Sequence, residues 1–343
     1  AVVVAGQLRT ALAWPVVASF RRHVVGALEA RCGAIERGVP YSTWRDRLRD
    51  VGGEVEAALC RDAAVRAAMV ETGEADIAPS ISAIDATTDL DHAYPNSETT
   101  YLRIDNSVPP LSDKRVREAL NIAIDREAFI GTILPEGADI ATAINVPTTL
   151  GWNPDTKAWP YDPERARELL EEAAADGVPV DTEILLVGRT GNFPGATEFY
   201  EAITSMLNEA GFNVKLQMVE VAEHEQFYSK PYVDDRGPIM VGAQHDNSRG
   251  DPVFSMFFKY HSEGRQSGIA GAHADELIEE ATAATGAERE ALWSELFGYL
   301  HDDVIADVLL FHMVGFARVG EDVDFTPTIA TNSQLQLAEI GLK

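Results

Sequence analysis

An α/β architecture with a mixed sheet and flanking helices follows from three features of the 343-residue sequence. Short apolar runs such as EILLVG and PIMVGA read as strands. Around them lie stretches whose apolar residues recur at helical spacing, the mark of a helix packed on one side. Glycine, proline and short polar residues punctuate the changes from one pattern to the other. The length points to two domains or lobes.

The elements follow in order. VRAAMVETGEADIAPSIS reads as a helix stopped at Gly73 and then a short strand, because glycine supplies the left-handed stop of a helix C-terminus. Residues 79–97 are polar and hold Pro79 and Pro95, which predicts loop. TTYLRI, ending at Ile104, alternates as a strand. Pro109-Pro110 interrupts regular structure, and Ser112 or Asp113 can cap the helix that follows. Its stripe is Val116, Ala119, Leu120, Ala123 and Ile124, and Asp125 can cap a second short helix.

YDPERARELLEEAAADG carries a full set of helix signals. Asp162 is the cap, Pro163 sits in the first turn where its missing N–H costs nothing, and Gly177 closes it. EILLVG is a buried strand. Phe199, Ile203, Met206 and Leu207 form a helical stripe ending at Gly211, and Val214, Leu216 and Met218 alternate as another strand. This strand–helix–strand unit predicts a parallel pair joined by a right-handed crossover. PIMVGA is a further strand. The stretch from His273 to Phe311 reads as helix broken at Gly286, its last apolar part as strand.

Composition excludes several functions. A net charge of −27 repels nucleic-acid phosphates and anionic lipid surfaces, so no nucleic acid is expected among the partners. Two cysteines, Cys32 and Cys60, make neither a disulfide framework nor a metal site. The eight histidines show no H-E-x-x-H or comparable spacing, and no metal or cofactor is expected. No G-x-S-x-G, Walker A or Rossmann glycine pattern is present, so the reading is of a protein that is not an enzyme. Trp152, Trp159 and Trp293 read as core or lobe surface.

The first 66 residues differ from the rest. They hold ten arginines against seven acids and no lysine, a balance of +3 that leaves −30 for the remainder. Residues 1–65 are read as an atypical Arg-rich segment, and two origins stay open: non-native sequence from a shifted reading frame, or a genuine Arg-rich helix. The apolar stretch at the start has no basic residues before it, so no signal peptide is read there.

Several stretches then carry a resemblance. Gly73-Glu74-Ala75-Asp76-Ile77 is similar to a GE-x-D-I turn. Pro109-Pro110-Leu111, Asp113, Val116-Arg117, Ala119-Leu120 and Ala123-Ile124-Asp125-Arg126 resemble "PPF-x-D-x-RVR-x-AL-x-x-AIDR". Tyr161-Asp162-Pro163 with Ala166, Leu169 and Leu170 is similar to "YDP-x-x-A-x-x-LL". Gly250-Asp251-Pro252 followed by Asp275, Leu277, Ile278 and Ala281 resembles the later "DP…LD-x-LI-x-x-A" pattern. In this order they resemble the peptide and nickel class, family 5, of bacterial and archaeal extracellular solute-binding proteins.

The resemblance covers residues 66 to about 325. It implies a type II periplasmic-binding-protein fold: residues 66–108 a remnant of a first lobe, 109–310 a second ligand-binding lobe and 311–343 a return to the first. Family members extend further at the N-terminus, so part of the first lobe is expected to be missing. The implied function is extracytoplasmic capture, in the periplasm or at the cell surface, of a peptide or other small molecule. The ligand is delivered to ABC permease subunits by lobe closure, and the protein is expected to be a monomer. The alternatives are an inactive fragment or scaffold, and a hydrolase using His245, Asp246 and Asp251.

A zwitterionic peptide needs a carboxylate for its ammonium and a cation for its carboxylate, because a buried charge without a partner is costly. The resemblance assigns the first role to Asp246, although the tryptophan that often precedes it is replaced at Ala243. It assigns the second to Arg189. Asn192 and Phe193 in the loop after Arg189, and His245 and Asn247 beside Asp246, complete the expected ligand-binding set.

Overall fold

The computed structural model describes residues 63–232, 236–268, 271–332, 335 and 337–343. The Arg-rich segment 1–65 lies almost wholly outside the described residues, as do Cys32 and Cys60. In chain order the described elements are α1 (Ala63–Glu71), β1 (Ile77–Ile81), β2 (Asp91–Ile104), α2 (Lys114–Ile122), β3 (Asp139–Ile140), α3 (Pro163–Ala175), β4 (Ile184–Arg189), α4 (Ala196–Glu209), β5 (Val214–Val219), α5 (Val221–Tyr228), β6 (Ile239–Asp246), α6 (Val253–Tyr260), α7 (Ala272–Ala283), α8 (Gly286–Gly298), β7 (Asp307–Val319), β8 (Val323–Asp324) and β9 (Gly341–Leu342). They belong to two compact units, one ending at Asn96 and resuming at Gly315, the other running from Ser97 to Val314.

In the smaller unit β1 runs antiparallel to the end of β7, with Ile77 opposite Val319. Ala67, Val70, Ala78 and Ile81 form one small core there, and Ile77, Val319, Val323 and Phe325 another. Arg318 is buried and donates to both oxygens of Asp91 at 2.7 and 2.8 Å, a bidentate pair that ties β7 to β2 within this unit.

In the larger unit the strand order is β7-β2-β6-β4-β5, with β3 on β7. β4 is parallel to both β5 and β6, while β2 runs antiparallel to β6. Successive side chains of a strand point to opposite faces. On one face Leu102, Ile104, Ile184, Leu186 and Met240 pack with Val116, Leu120, Leu169, Phe199 and Ile203 from α2, α3 and α4. On the other Tyr101, Val187, Ile239 and Val241 pack with Met256, Leu277, Trp293 and Leu296 from α6, α7 and α8.

The local signals act as chemistry requires. Asp113, not Ser112, caps α2 by accepting from Arg115 N at 2.9 Å, and Asp162 caps α3 by accepting from Arg165 N at 2.9 Å. Gly177 and Gly211 take the left-handed conformation after α3 and α4, at φ +88° and +104°.

Three expectations need correction. The loop predicted over 79–97 becomes strand from Asp91 onward, because Pro95 falls at an exposed position where a sheet tolerates an imino acid. PIMVGA extends to Asp246, since pairing with β2 from Glu98 to Ile104 holds its polar end in the ladder. α5 and α6 were not expected: each is only eight residues long, too short for a periodic pattern to stand out. No described helix is long and apolar enough to cross a membrane.

Candidate ligand site at the carboxyl edge of the sheet

The parallel strands β4, β5 and β6 end on the same edge of the larger unit. In α/β sheets the crevice outside the carboxyl ends of parallel strands is the usual ligand position. Arg189 is the last residue of β4 and Asp246 the last of β6. The register pairs Val187 with Val241, so β6 continues beyond β4 and carries Asp246 about three residues, roughly 10 Å, past the level of Arg189. Alternation puts Arg189 on the face of Val187 and Asp246 on the face of Met240. A ligand touching both therefore lies across the edge of the sheet.

Arg189 is half-buried, and its Nε is shielded from solvent with no hydrogen-bond partner. Among the described arginines it alone has neither a hydrogen bond, an ion pair nor a ring contact. Arg249 lies over Phe254, and the rest bond to carboxylates or carbonyls. The side-chain Nδ2 and Oδ1 of Asn192 are likewise buried without a close partner.

Tyr200 of α4 lies beneath this loop, against β4 and β6. A Cβ at Gly188 would meet the Tyr200 ring at 2.8 Å and one at Gly242 would meet its hydroxyl at 2.4 Å, so both positions require glycine. Burial pushes Tyr200 up to about 12, against the opposing influence of Asn192 and the Arg189 charge. Phe193 packs edge-on to Phe199, with ring centroids 5.2 Å apart, and belongs to the apolar core beneath the loop.

Asp246 is exposed. Its Oδ1 accepts from Ser97 Oγ and Ser248 N, both at 2.8 Å. Asn247 is buried and donates from N to Ser97 O at 2.8 Å and from Nδ2 to the same carbonyl at 3.1 Å. Asn247 also accepts from Thr149, which joins the loop after β3 to the end of β6. His245 points into the opposite side of the sheet. It is buried, and desolvation together with the Lys259 charge depresses it to about 3, so it is neutral at physiological pH.

The structure thus brings Arg189, Asn192 and Asp246 to one edge. It places Phe193, His245 and Asn247 in packed or bonded positions behind that edge. Sequence reading missed Ser97, which orients Asp246, and Tyr200, which underlies Asn192. Ser97 lies in a stretch read as loop, and Tyr200 is one residue past the helical stripe position Phe199. Among the described residues no group of three metal-ligating side chains occurs.

A mixed sheet with helices on both faces and a ligand edge at the carboxyl ends of its parallel strands is the build of a type II periplasmic-binding-protein lobe. The crystal structure of the ABC transporter substrate-binding protein CtaP from Listeria monocytogenes has the same fold: TM-score 0.70 at 16% identity, covering 84% of this chain and 60% of that one. Residues 53–266 match the family model of bacterial extracellular solute-binding proteins, family 5, middle region, and the chain belongs to that family. It is 26% identical over 280 residues to a probable di/tripeptide-binding protein 5 of Pseudomonas aeruginosa, covering 78% of this chain and 51% of that protein. It is 28% identical over 275 residues to the dipeptide-binding protein of Escherichia coli, covering 76% and 50%. The chain thus spans about half the length of these relatives.

Proposed function

We propose that this chain captures short peptides outside the cytoplasm, as a monomer and without turnover, for an ABC importer whose permease receives them on lobe closure. The observation that carries the reading is Arg189. In a chain of net charge −27, a half-buried guanidinium with no counter-charge at a ligand edge fits an incoming carboxylate. Asp246, fixed by Ser97 and Ser248, is the acceptor for the peptide ammonium, and Asn192 lines the path between them. The relatives named for di- and tripeptides support the substrate class.

Titration calorimetry of the chain with a dipeptide, its C-terminal amide and its N-acetyl form tests this. Arg189→Ala is expected to weaken the free dipeptide by at least ~30-fold, about 2 kcal/mol, and to leave the already weak amide unchanged. Asp246→Ala is expected to do the same with the N-acetyl form as its insensitive partner. Effects within ~2-fold for both variants refute the assigned residues. No heat with any member of a di- and tripeptide panel refutes peptide capture by this chain.

A further inference from the structure

Away from the ligand edge, the π-helical turn Tyr299–Val304 and the first residue of β7 close around a cavity of about 20 Å³. Ala143, Ile144, Trp159, Tyr260, His301 and Asp307 are among its lining residues. Two of them each turn one satisfied and one unsatisfied atom to their surroundings. Asp307 accepts from Tyr260 OH through Oδ2 at 2.5 Å, while its Oδ1 has no partner. His301 pairs through Nδ1 with Asp302 Oδ1 at 2.6 Å, while its Nε2 has no partner. Both residues are more than nine-tenths buried, at 6% and 8% exposure. Their rotamers are held by other contacts: Tyr260 fixes the carboxyl, and Trp159 stacks on the imidazole with centroids 5.0 Å apart.

Buried polar atoms are almost always hydrogen-bonded, to protein or to ordered water. A cavity of this volume accepts one water molecule. We propose that the cavity is a binding site for a single water that bridges Asp307 Oδ1 and His301 Nε2.

The donor and acceptor pattern is consistent with that occupant. With Nδ1–H donating to the Asp302 carboxylate, the same tautomer presents Nε2 as an acceptor. Water gives one proton to Nε2. It gives the other to Asp307 Oδ1 when that carboxyl is ionised, or accepts from Oδ1–H when it is protonated. Burial pushes Asp307 up to about 7, against the Tyr260 hydrogen bond and the charges of Lys259 and Arg103. Burial first, and the Asp307 charge with it, holds the Tyr101 hydroxyl well above its ordinary value across the same interior. A bridging water keeps Asp307 partnered in both protonation states. It also completes a line from the exposed Asp302 carboxylate through His301 to a carboxyl in the interior. This inference is independent of what the ligand edge binds.

A crystal structure of the chain at about 1.5 Å decides it. The expected result is one water within ~3.2 Å of both Asp307 Oδ1 and His301 Nε2. A direct contact between the two side chains, or a cavity without density, overturns it. Ala143→Val supplies an independent sign, because it fills the space. Filling a dry cavity raises the melting temperature, which overturns the proposal. Displacing a bridging water strands two polar atoms and lowers it by about 2–4 °C, with the water absent from the variant's crystal structure.

Discussion

On one face of the larger unit's sheet Phe129, Phe199 and Phe311 meet edge to face at centroid distances of 4.9 to 5.9 Å, among leucines and isoleucines. On the other face the apolar packing around Trp293 surrounds a hydrogen-bonded chain. Lys259 donates to Tyr101 OH at 2.9 Å and to Tyr228 OH at 2.6 Å, and Tyr260 donates to Asp307. Around these rings the first is held by the fit of apolar side chains, whereas the second depends on which of its groups carry protons. The two faces should therefore fail differently.

The largest effect belongs to the apolar face. Phe199→Ala removes a fully buried ring touching four aromatic neighbours and is expected to cost about 3–5 kcal/mol. Urea denaturation should give the same loss at pH 5 and pH 8. A loss that changes with pH would break the distinction between the faces.

Asp307→Asn probes the other face. Asp307 has a folded pKa of about 7 against 3.8 for the unfolded chain, so the native state binds more protons between those values. Its contribution is fully present below pH 3.8 and is lost as pH rises through 7, a change on the order of 3 kcal/mol between pH 4 and pH 7. His245 and His312, depressed by burial to about 3 and 4 from 6.5, work in the opposite direction. Their contribution is present above pH 6.5 and is lost as pH falls through their folded values. The wild type therefore carries two opposed slopes, and Asp307→Asn leaves only the rise with pH. Stability curves from pH 4 to 8 that stay parallel for the two proteins would show that Asp307 does not titrate in this range.

Lys259→Met keeps the length of the side chain and removes its charge and donors. The expected cost is about 2 kcal/mol, because Tyr101 and Tyr228 retain each other at 2.6 Å. It also removes the positive charge that helps depress His245. The His245 titration, followed by NMR, should move up toward 6.5, and an unmoved value would leave desolvation as the whole cause.

The two faces were also unequally legible in the sequence. Phe199, Ile203 and Leu207 announce a buried stripe by spacing alone, and β4 and β5 announce a parallel pair through the helix between them. Tyr101, Tyr228, Lys259 and Asp307 come from four distant elements, and two of these, α5 and α6, are too short to show a period. Their partnership exists only once the sheet has formed. The candidate ligand edge falls between these cases. Arg189 can be placed beside a strand end from local pattern, whereas Asp246 is singled out only by family likeness, three residues beyond the strand read as PIMVGA. That Arg189 lacks a partner when Arg318 has two carboxylates is a tertiary fact, since Arg318 reaches Asp91 across 227 positions of sequence.

The smallest effect marks the limit where local sequence is sufficient. Asp162 accepts from Arg165 N three residues on, at the surface end of α3, and touches neither face of the sheet. Asp162→Ala is expected to cost about 1 kcal/mol, the ordinary worth of an N-cap, with no change in the urea m-value. Asn at this position should restore most of the loss, because it keeps the acceptor. If Asp162→Ala instead cost as much as Lys259→Met, α3 would have to be coupled to the core through its first turn. The packing of Ala166, Leu169 and Leu170 would then depend on a contact that the sequence reading treats as purely local.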